Sequence, residues 1–326
     1  MVRFGVCRRE QFALAPNPLQ RLLHGRRVSY RLLRTSAPPT DDEIAVFDNI
    51  IYYMRLASGI CASTGPDRFQ DLDAAITQTL EGVFVRDHPL LVEDWGASDA
   101  VTSAEWFPIL RSRFPAARMV ASDLTVHLIE AVVDNDGTYV LDPEGRPLQY
   151  VTPPLVIKFP EPMPLLLNRW MAARARRHLR RLASRAGVDL AHLQFEHPDE
   201  EIRRAPFVFR RLPLTHPRAR ALSRTDPAFQ LAQHSVFEAS RRGPDVVRTM
   251  NVLNRDYFDD ARLADAARAV WISLNPGGVW IVGRTVTESP RVHHVSMLRK
   301  TDSGFELLVR HVDRSEIEDL ALAFAP

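Results

Sequence analysis

The sequence contains little cysteine, almost no lysine and no long apolar run. Its two cysteines, Cys7 and Cys61, are too few for a disulfide framework or a cysteine zinc site, so a reducing compartment is expected. No segment reaches the ~20 consecutive apolar residues that a membrane-spanning helix needs, and the amino terminus lacks the apolar core of a signal peptide. We therefore expect a cytoplasmic protein with at most a peripheral membrane contact.

Several catalytic signatures are also missing. The sequence has no P-loop, no Gly-x-Ser-x-Gly nucleophile elbow and no set of protein-kinase motifs. The histidines lack the spacing of metal ligands, and His293 and His294 would face opposite sides of a strand. No metal is predicted.

The composition is that of an ordinary globular chain. The 326 residues are 45% hydrophobic and 25% charged, enough for one large domain or two. The 42 basic residues, all arginine except Lys158 and Lys300, nearly balance 40 acidic ones, which leaves a net charge of +2. The whole chain therefore has no field that favours nucleic acid, and any basic surface must be local.

Residues 1–85 predict a helical N-terminal cap. Residues 1–40 are rich in arginine and proline and suggest a loose arm with a short helix around Leu19–Leu23. From Asp41 to Gly82 the apolar spacing is helical, with a second helix over Asp71–Leu80.

Residues 86–326 predict a doubly wound, mostly parallel α/β sheet. A short apolar run over Leu90–Trp95, a helix from Thr102 to Phe114 and a second run over Arg118–Asp123 form a βαβ unit. Alternation resumes after Pro206 and ends in an antiparallel hairpin of Val292–Arg299 and Phe305–Val312.

An insertion at about 126–205 interrupts that alternation. It begins with a hairpin over Val126–Leu141 and continues with prolines that should break regular elements, followed by a basic helix over Asn168–Arg185 with seven arginines. Residues 153–185 suggest a lid, a peripheral membrane contact or a contact with an acidic partner, while a solvated helix over the core is the simplest alternative. Nucleic acid is not expected, because few aromatic residues are interleaved.

The turn after the first predicted strand is built of small residues. It reads Asp94-Trp95-Gly96-Ala97-Ser98-Asp99-Ala100, and Asp123 ends the next strand. Such a turn lets an anion approach the helix N-terminus, and the downstream acid can accept hydrogen bonds from both ribose hydroxyls of an adenosine. An ordinary tight turn with a solvated Asp123 is the alternative.

The second half of the chain resembles the class I S-adenosylmethionine-dependent methyltransferases. The resemblance lies in a helix followed by Leu274-Asn275-Pro276-Gly277-Gly278 and an apolar strand. Asn251-Val252-Leu253-Asn254-Arg255-Asp256-Tyr257-Phe258 is similar to a stretch of the chemotaxis-receptor glutamate methyltransferases, with one extra residue. The resemblance covers about 88–125 and 206–326, with Ala100 replacing the last glycine of the first turn.

The resemblance implies a Rossmann-like fold, S-adenosyl-L-methionine as cofactor and a set of site residues. Asp94, Gly96 and Ser98 would line the methionine end of the cofactor, and Asp123 would hold the ribose. Other positions follow from the same resemblance: Ser235 would stand where an acid often holds adenine, Asn251 would lie beneath the sulfonium, and Asn251 and Tyr257 would serve the catalytic step.

Two functions remain open at this point. One is a methyltransferase acting on a small or lipid-like acceptor, with His127, Asp256 and Tyr257 as candidate bases. The other is a catalytically degenerate protein of the same fold that binds or regulates a partner, suggested by Ala100, Met250 and Ser235 in place of the family's usual residues. The oligomeric state is open, a homo-oligomer included.

Overall fold

The computed structural model describes residue 7 and residues 28–52, 54, 64–134, 136–153, 155–159, 166–197 and 199–326. The helix predicted at Leu19–Leu23 and four of the prolines predicted to break the insertion (Pro154, Pro160, Pro162 and Pro164) lie outside these residues. The helices of the described residues are α1 Asp41–Tyr52, α2 Gln70–Glu81, α3 Val101–Arg113, α4 Leu166–Arg185, α5 Pro217–Thr225, α6 Asp260–Ser273 and α7 Glu318–Leu322, with 3-10 turns at Tyr30–Leu33 and Leu190–His192.

The strands alternate with these helices along most of the chain. They are β1 Leu91–Trp95, β2 Arg118–Asp123, β3 His127–Val133, β4 Gly137–Leu141, β5 Pro147–Thr152, β6 Leu155–Lys158, β7 Glu201–Arg204, β8 Phe207–Pro213, β9 Phe229–Gln233, β10 Val246–Met250, β11 Val279–Glu288, β12 Arg291–Thr301 and β13 Gly304–His311.

The chain divides into two compact units, each built from two stretches of sequence. The parallel-sheet unit comprises 64–126 and 218–326, and the antiparallel-sheet unit comprises 1–63 and 127–217. This differs from the predicted cap boundary at residue 85, because α2 belongs to the parallel-sheet unit. Its Leu72, Ile76 and Leu80 pack in one core with Val92 of β1.

The parallel-sheet unit contains a seven-stranded sheet in the order β13-β12-β11-β10-β1-β2-β9. The five strands from β11 to β9 pair in parallel, and β12 and β13 add an antiparallel hairpin. Numbered along the chain, the parallel strands lie in the order 3-2-1-4-5, the arrangement of dinucleotide-binding sheets. The predicted doubly wound fold is confirmed.

Helices cover both faces of this sheet. One core contains Leu110 and Phe107 of α3 with side chains of α2 and α5. The other contains Leu263, Ala267 and Val270 of α6 against Trp280 of β11. Because both faces are covered, the central strands β1 and β10 are buried almost throughout, and their polar residues need partners inside the core.

The antiparallel-sheet unit contains a six-stranded sheet in the order β6-β5-β4-β3-β8-β7. The sequence predicted the β3–β4 hairpin and helix α4, but the expectation that prolines would break regular structure is wrong at β5 and β6. These strands pair from Gln149 with Lys158 to Thr152 with Leu155, since Pro153 falls in the turn between them. Among the described residues no helix is long and apolar enough to cross a membrane.

A buried arginine connects three elements of the parallel-sheet unit. Arg248 of β10 is 1% exposed, and its guanidinium donates to Asp73 of α2 at 2.7 Å and to Asp94 of β1. The ring of Trp106 lies 4.3 Å from the guanidinium carbon, and Ser103 donates to Asp94 at 2.6 Å. One cation thus faces two buried carboxyl groups.

Burial raises the pKa of Asp73 from 3.8 to about 8, although Arg248 lowers it, and the nearby Asp94 adds to the rise. At neutral pH Asp73 therefore keeps its proton, and Arg248 forms its charge pair with Asp94. This arrangement leaves no net charge among the three groups, which is the inexpensive state in a low-dielectric core.

We expect Asp73→Asn to change the free energy of unfolding by less than about 1 kcal/mol at pH 7, because it copies the protonated acid. Asp94→Asn should cost about 3–5 kcal/mol, because it leaves a buried cation uncompensated. Urea unfolding followed by tryptophan fluorescence measures both. Equal losses in the two variants would show that Asp73 is ionised.

The raised pKa of Asp73 also predicts that the stability of the protein depends on pH. The pKa of Asp73 is about 8 in the folded state against 3.8 for an ordinary aspartate, so the folded state binds the proton more tightly. Its contribution to stability is complete below the ordinary value and is lost as the pH rises toward 8. Between these two pKa values, the free energy of unfolding should therefore fall less steeply with rising pH in Asp73→Asn than in the wild type.

Candidate functional site

The candidate site lies at the carboxyl edge of the parallel sheet, beside β1. The chain continues from β1 to β2 on one side and returns through β9 to β10 on the other, so the strand order reverses here. In open α/β sheets, ligands bind in the crevice at such a reversal. Asp123 ends β2, Ser235 follows β9 and Asn251 follows β10, which brings three predicted site residues to this edge.

The turn between β1 and α3 has an unusual backbone. Gly96, Ser98 and Ala100 have φ angles of +72°, +57° and +64°, all in the left-handed region. For the two residues with a Cβ this conformation costs about 1–2 kcal/mol each. Strained residues of this kind concentrate at functional sites, and the sequence signal for them was the small-residue run of the turn.

The turn already uses several of its own donors. The amide of Ala97 donates to the Ser122 carbonyl at 2.9 Å, and the amide of Ser98 donates to Asp123 Oδ2 at 2.9 Å. The Asp99 carboxylate accepts from the Val101 amide, the first of α3, at 3.0 Å. A ligand at this turn would meet backbone groups that are largely satisfied.

Gly96 is covered by a side chain of the neighbouring loop. A Cβ added at Gly96 would lie 2.9 Å from the Cβ of Val252, which follows β10. The space that a glycine leaves for a ligand is filled here by valine. No local sequence pattern predicts this contact, because Gly96 and Val252 are far apart in the chain.

Asp94 does not fit its predicted contact with the methionine end of a cofactor. Its carboxylate is 3% exposed and holds Arg248 and Ser103. The signal for this pair was an arginine inside the apolar strand Val246–Met250, since a buried charge needs an opposite charge.

Asp123 fits the predicted contact with a ribose. Its two carboxylate oxygens accept from the amides of Ser98 and Thr125 at 2.9 and 3.1 Å. Burial raises the pKa of this carboxyl, and the backbone donors lower it only in part. A carboxylate has about four lone-pair sites, and the Leu124 amide is a third backbone donor, so about one site remains for a ribose hydroxyl, which would compensate the burial.

Ser235 lies in the turn that follows β9, next to the end of β2. Its hydroxyl accepts from the Phe237 amide at 3.3 Å, and the preceding His234 amide donates to the Asp123 carbonyl at 3.0 Å. The His234 ring packs 4.5 Å from the Trp95 ring, measured between centroids. Strand β9 ends at Gln233, so Ser235 belongs to the turn rather than to the sheet.

Asn251 is tied to the next strand. It has a φ of +61°, and its Oδ1 accepts from the Thr285 amide at 2.6 Å. Thr285 Oγ1 lies 3.0 Å from His293 Nδ1, and the His293 ring packs against Phe69 at 5.1 Å. Thr285 and His293 are therefore additional polar groups at this edge. No local sequence pattern links them to Asn251, because Thr285 lies on β11 and His293 on β12.

The other predicted catalytic groups are placed less favourably. Tyr257 is 51% exposed in the turn after β10, and Asp256 forms an ion pair with Arg284 at 2.6 Å. His127 belongs to β3 of the antiparallel-sheet unit, where burial and Arg211 lower its pKa to about 4. Its imidazole is neutral at pH 7, and His293 is the histidine beside Asn251.

A separate cavity lies at the opposite edge of the parallel sheet. It has a volume of about 260 Å³ and is lined by Trp271, Gly277 and Lys300, among others. The Lys300 ammonium donates to the Leu274 carbonyl at 2.6 Å and lies 4.4 Å from the centre of the Trp271 ring. Within the described ranges, no cluster of three or more metal-ligating side chains occurs.

No model of a known protein family and no curated protein matches the chain. Solved structures do match it. An O-methyltransferase family protein from Burkholderia thailandensis is 13% identical over 76% of this chain and 42% of that chain, with a TM-score of 0.29. This chain thus spans less than half the length of that protein.

Two further solved structures are N-methyltransferases. A sugar N-methyltransferase from Streptoalloteichus is 13% identical over 78% of this chain and 75% of that chain, with a TM-score of 0.29. The N-methyltransferase NodS from Bradyrhizobium japonicum, solved with S-adenosyl-L-homocysteine, is 12% identical over 69% and 65%, also with a TM-score of 0.29. These values are too low to transfer the role of any residue, so the fold rests on the strand order and the site on its own geometry.

We expect Gly96→Ala to destabilise the parallel-sheet unit by about 2–4 kcal/mol, from left-handed strain plus the overlap with Val252. In a Val252→Gly background the same change should cost at least about 1 kcal/mol less, since all three overlapping carbons of Val252 are gone. Gly187→Ala is the matched control, because Gly187 has a φ of +63° and nothing within 4 Å of an added Cβ. Equal costs of Gly96→Ala in both backgrounds would contradict the contact.

Proposed function

We propose that the parallel-sheet unit is an S-adenosylmethionine-dependent methyltransferase that acts on a small or lipid-like acceptor. The observation that carries this proposal is the position of the Asp123 carboxylate at the point of strand reversal. It accepts a hydrogen bond of 2.9 Å from the amide of Ser98, which belongs to the left-handed turn. A desolvated carboxylate whose backbone donors leave a lone pair unused suits a hydroxyl of a ribose. The strained backbone of the turn supports a functional role for this edge.

The residues of this edge would divide the work of binding and positioning. Asp123 would accept from the ribose, and Ser235 would offer one hydrogen bond to the adenine. Bound S-adenosylmethionine supplies a methyl group on a sulfonium, and an in-line displacement of this kind depends mainly on alignment. Asn251, fixed through its Oδ1 to Thr285, has its amide nitrogen left to align the acceptor.

The acceptor would approach from the side of Asn251. Tyr257 is the exposed hydroxyl on the loop that follows, and His293 is linked to Asn251 through Thr285. Either group could take a proton from an acceptor whose nucleophile carries one. The acceptor class stays open between small molecules and lipid-like ones.

The filled turn between β1 and α3 favours a second function, that of a binding or regulatory protein without catalysis. Val252 fills the space above Gly96, and Asp94 is buried against Arg248. A protein that retained the fold but lost the methionine end of the cofactor site would show these two features. It would act as a binding or regulatory partner.

Binding of S-adenosylhomocysteine tests the first function. We expect Asp123→Ala to weaken it by about 10–150-fold, the range for a hydrogen bond to a charged group. Asp302→Ala removes an exposed carboxylate near the opposite edge of the sheet and should leave binding unchanged. Isothermal calorimetry measures both, with thermal unfolding as a check on Asp123→Ala. Absence of wild-type binding at millimolar ligand would favour the second function.

Substitutions of Asn251 separate its backbone from its side chain. Asn251→Gly keeps the left-handed backbone and removes the amide, so turnover should fall by about 10-fold or more while cofactor affinity changes little. Asn251→Ala should show the same loss plus a stability cost of about 1 kcal/mol. The measurement is transfer of labelled methyl groups to small-molecule and lipid extracts. Unchanged turnover in Asn251→Gly would make Asn251 an ordinary loop residue.

A further inference from the structure

Helix α4 packs on the antiparallel sheet through small side chains. The core on that face includes four residues of the helix that are 2–6% exposed: Ala172, Ala175, Leu179 and Ala183. The hydroxyl of Tyr139 in β4 donates to the Ala175 carbonyl at 3.0 Å. These residues form one narrow seam at helical spacing. The side of the helix opposite this seam faces away from the sheet.

The opposite side of α4 carries a straight row of arginines. Arg174, Arg177, Arg181 and Arg185 are all exposed and follow one another at spacings of three or four residues; we call this row the arginine crest. At 3.6 residues per turn the crest lies about 160° from the alanine seam and is about 16 Å long.

Among the residues that the structure describes, no carboxylate forms an ion pair with the crest. Helix α4 contains no aspartate or glutamate. Among the described carboxylates, Asp136 pairs with the helix, and it binds His178 rather than the crest. By contrast Arg176, which lies off the crest, donates to the Phe159 carbonyl at 2.7 Å and stacks on the Phe159 ring, so it serves packing.

An aromatic residue extends the crest at its amino-terminal end. Trp170 lies one turn before Arg174 on the same side of the helix, is 55% exposed, and has the Arg174 guanidinium 5.7 Å from its ring centroid. Tryptophan prefers the headgroup level of a bilayer, where arginines on the same face reach lipid phosphates. A nucleic-acid strand would instead require several stacking rings along the row.

We propose that the arginine crest together with Trp170 is a peripheral binding surface for an anionic lipid bilayer. The helix would lie parallel to the membrane plane, with the crest against the phosphates and the alanine seam against the protein. This surface belongs to the antiparallel-sheet unit, and its test is binding alone, so its outcome is independent of the proposed methyltransferase.

The test uses the full-length protein and vesicles of phosphatidylcholine with about one third phosphatidylserine, beside vesicles of phosphatidylcholine alone. We expect co-sedimentation only with the anionic vesicles, and a loss of binding as salt rises from about 0.1 M to about 0.5 M. Arg177→Gln with Arg181→Gln should lower the partition coefficient roughly 30-fold, and the two glutamate substitutions should abolish binding.

The matched control is Arg203→Gln with Arg204→Gln, which removes the same charge from β7, at the sheet edge opposite β6. It should change binding by less than about twofold. Circular dichroism shows that each variant is folded.

Tryptophan fluorescence gives a second measurement. Trp95, Trp106 and Trp280 are at most 1% exposed and Trp271 is partly buried in the parallel-sheet unit, so a blue shift on adding anionic vesicles that Trp170→Phe abolishes reports Trp170. Trp170→Phe should remove the shift and keep most of the sedimentation. The proposal is overturned if wild-type protein does not bind anionic vesicles, if the crest variants bind as well as the control, or if a DNA duplex binds through the crest while vesicles do not.

Discussion

The contact of Arg248 with Asp94 and Asp73 is the constraint on which the parallel-sheet unit depends. It joins the two central strands on either side of the strand reversal, and it attaches α2 to them. Because a buried guanidinium cannot lose its proton, each surrounding group must adapt to it. Asp94 supplies the charge, Asp73 keeps its proton, and Trp106 offers a ring face. The site at the sheet edge is built on this fixed base.

The same contact bears on the candidate function. Asp94 is buried against Arg248, and Val252 fills the space above Gly96. The turn after β1 is therefore closed, and most of its hydrogen-bonding groups already have partners within the protein. A ligand there would have to bind by adding to Asp123 rather than by entering an open glycine cradle. The polar groups still suited to a ligand lie on both sides of the turn, at Asp123 and Ser235 on one side and at Asn251 on the other.

The sequence predicted the elements with local signals and missed those that depend on distant partners. The alternation from Leu90 to Asp123 and the hairpin after Arg291 carry their own periodicity and turns, and both were found. Helix α2 was also found, but an amphipathic face does not say which core it joins. The β5–β6 hairpin was missed because its prolines are as typical of loops as of strand ends.

The candidate site was predictable to the same extent. Asp123 and Asn251 follow apolar runs, so their place at the carboxyl edge could be inferred from the sequence. The pairing of Arg248 with Asp94 joins residues 154 positions apart, and no local pattern encodes it. Likewise, Thr285 meets Asn251 because β11 pairs parallel to β10, and His293 reaches Thr285 because β12 pairs antiparallel to β11.

The interleaving of the two units sets an order for folding during synthesis. The antiparallel-sheet unit has all its residues once position 217 has been made, whereas β1 and β2 still lack β10 and β11. At about 5–20 residues per second, a ribosome adds Arg248 roughly 8–30 s after Asp94. During that interval the two strands have an unpaired edge and an acid without its cation. The antiparallel-sheet unit, whose two segments flank β1 and β2 in the sequence, can fold first.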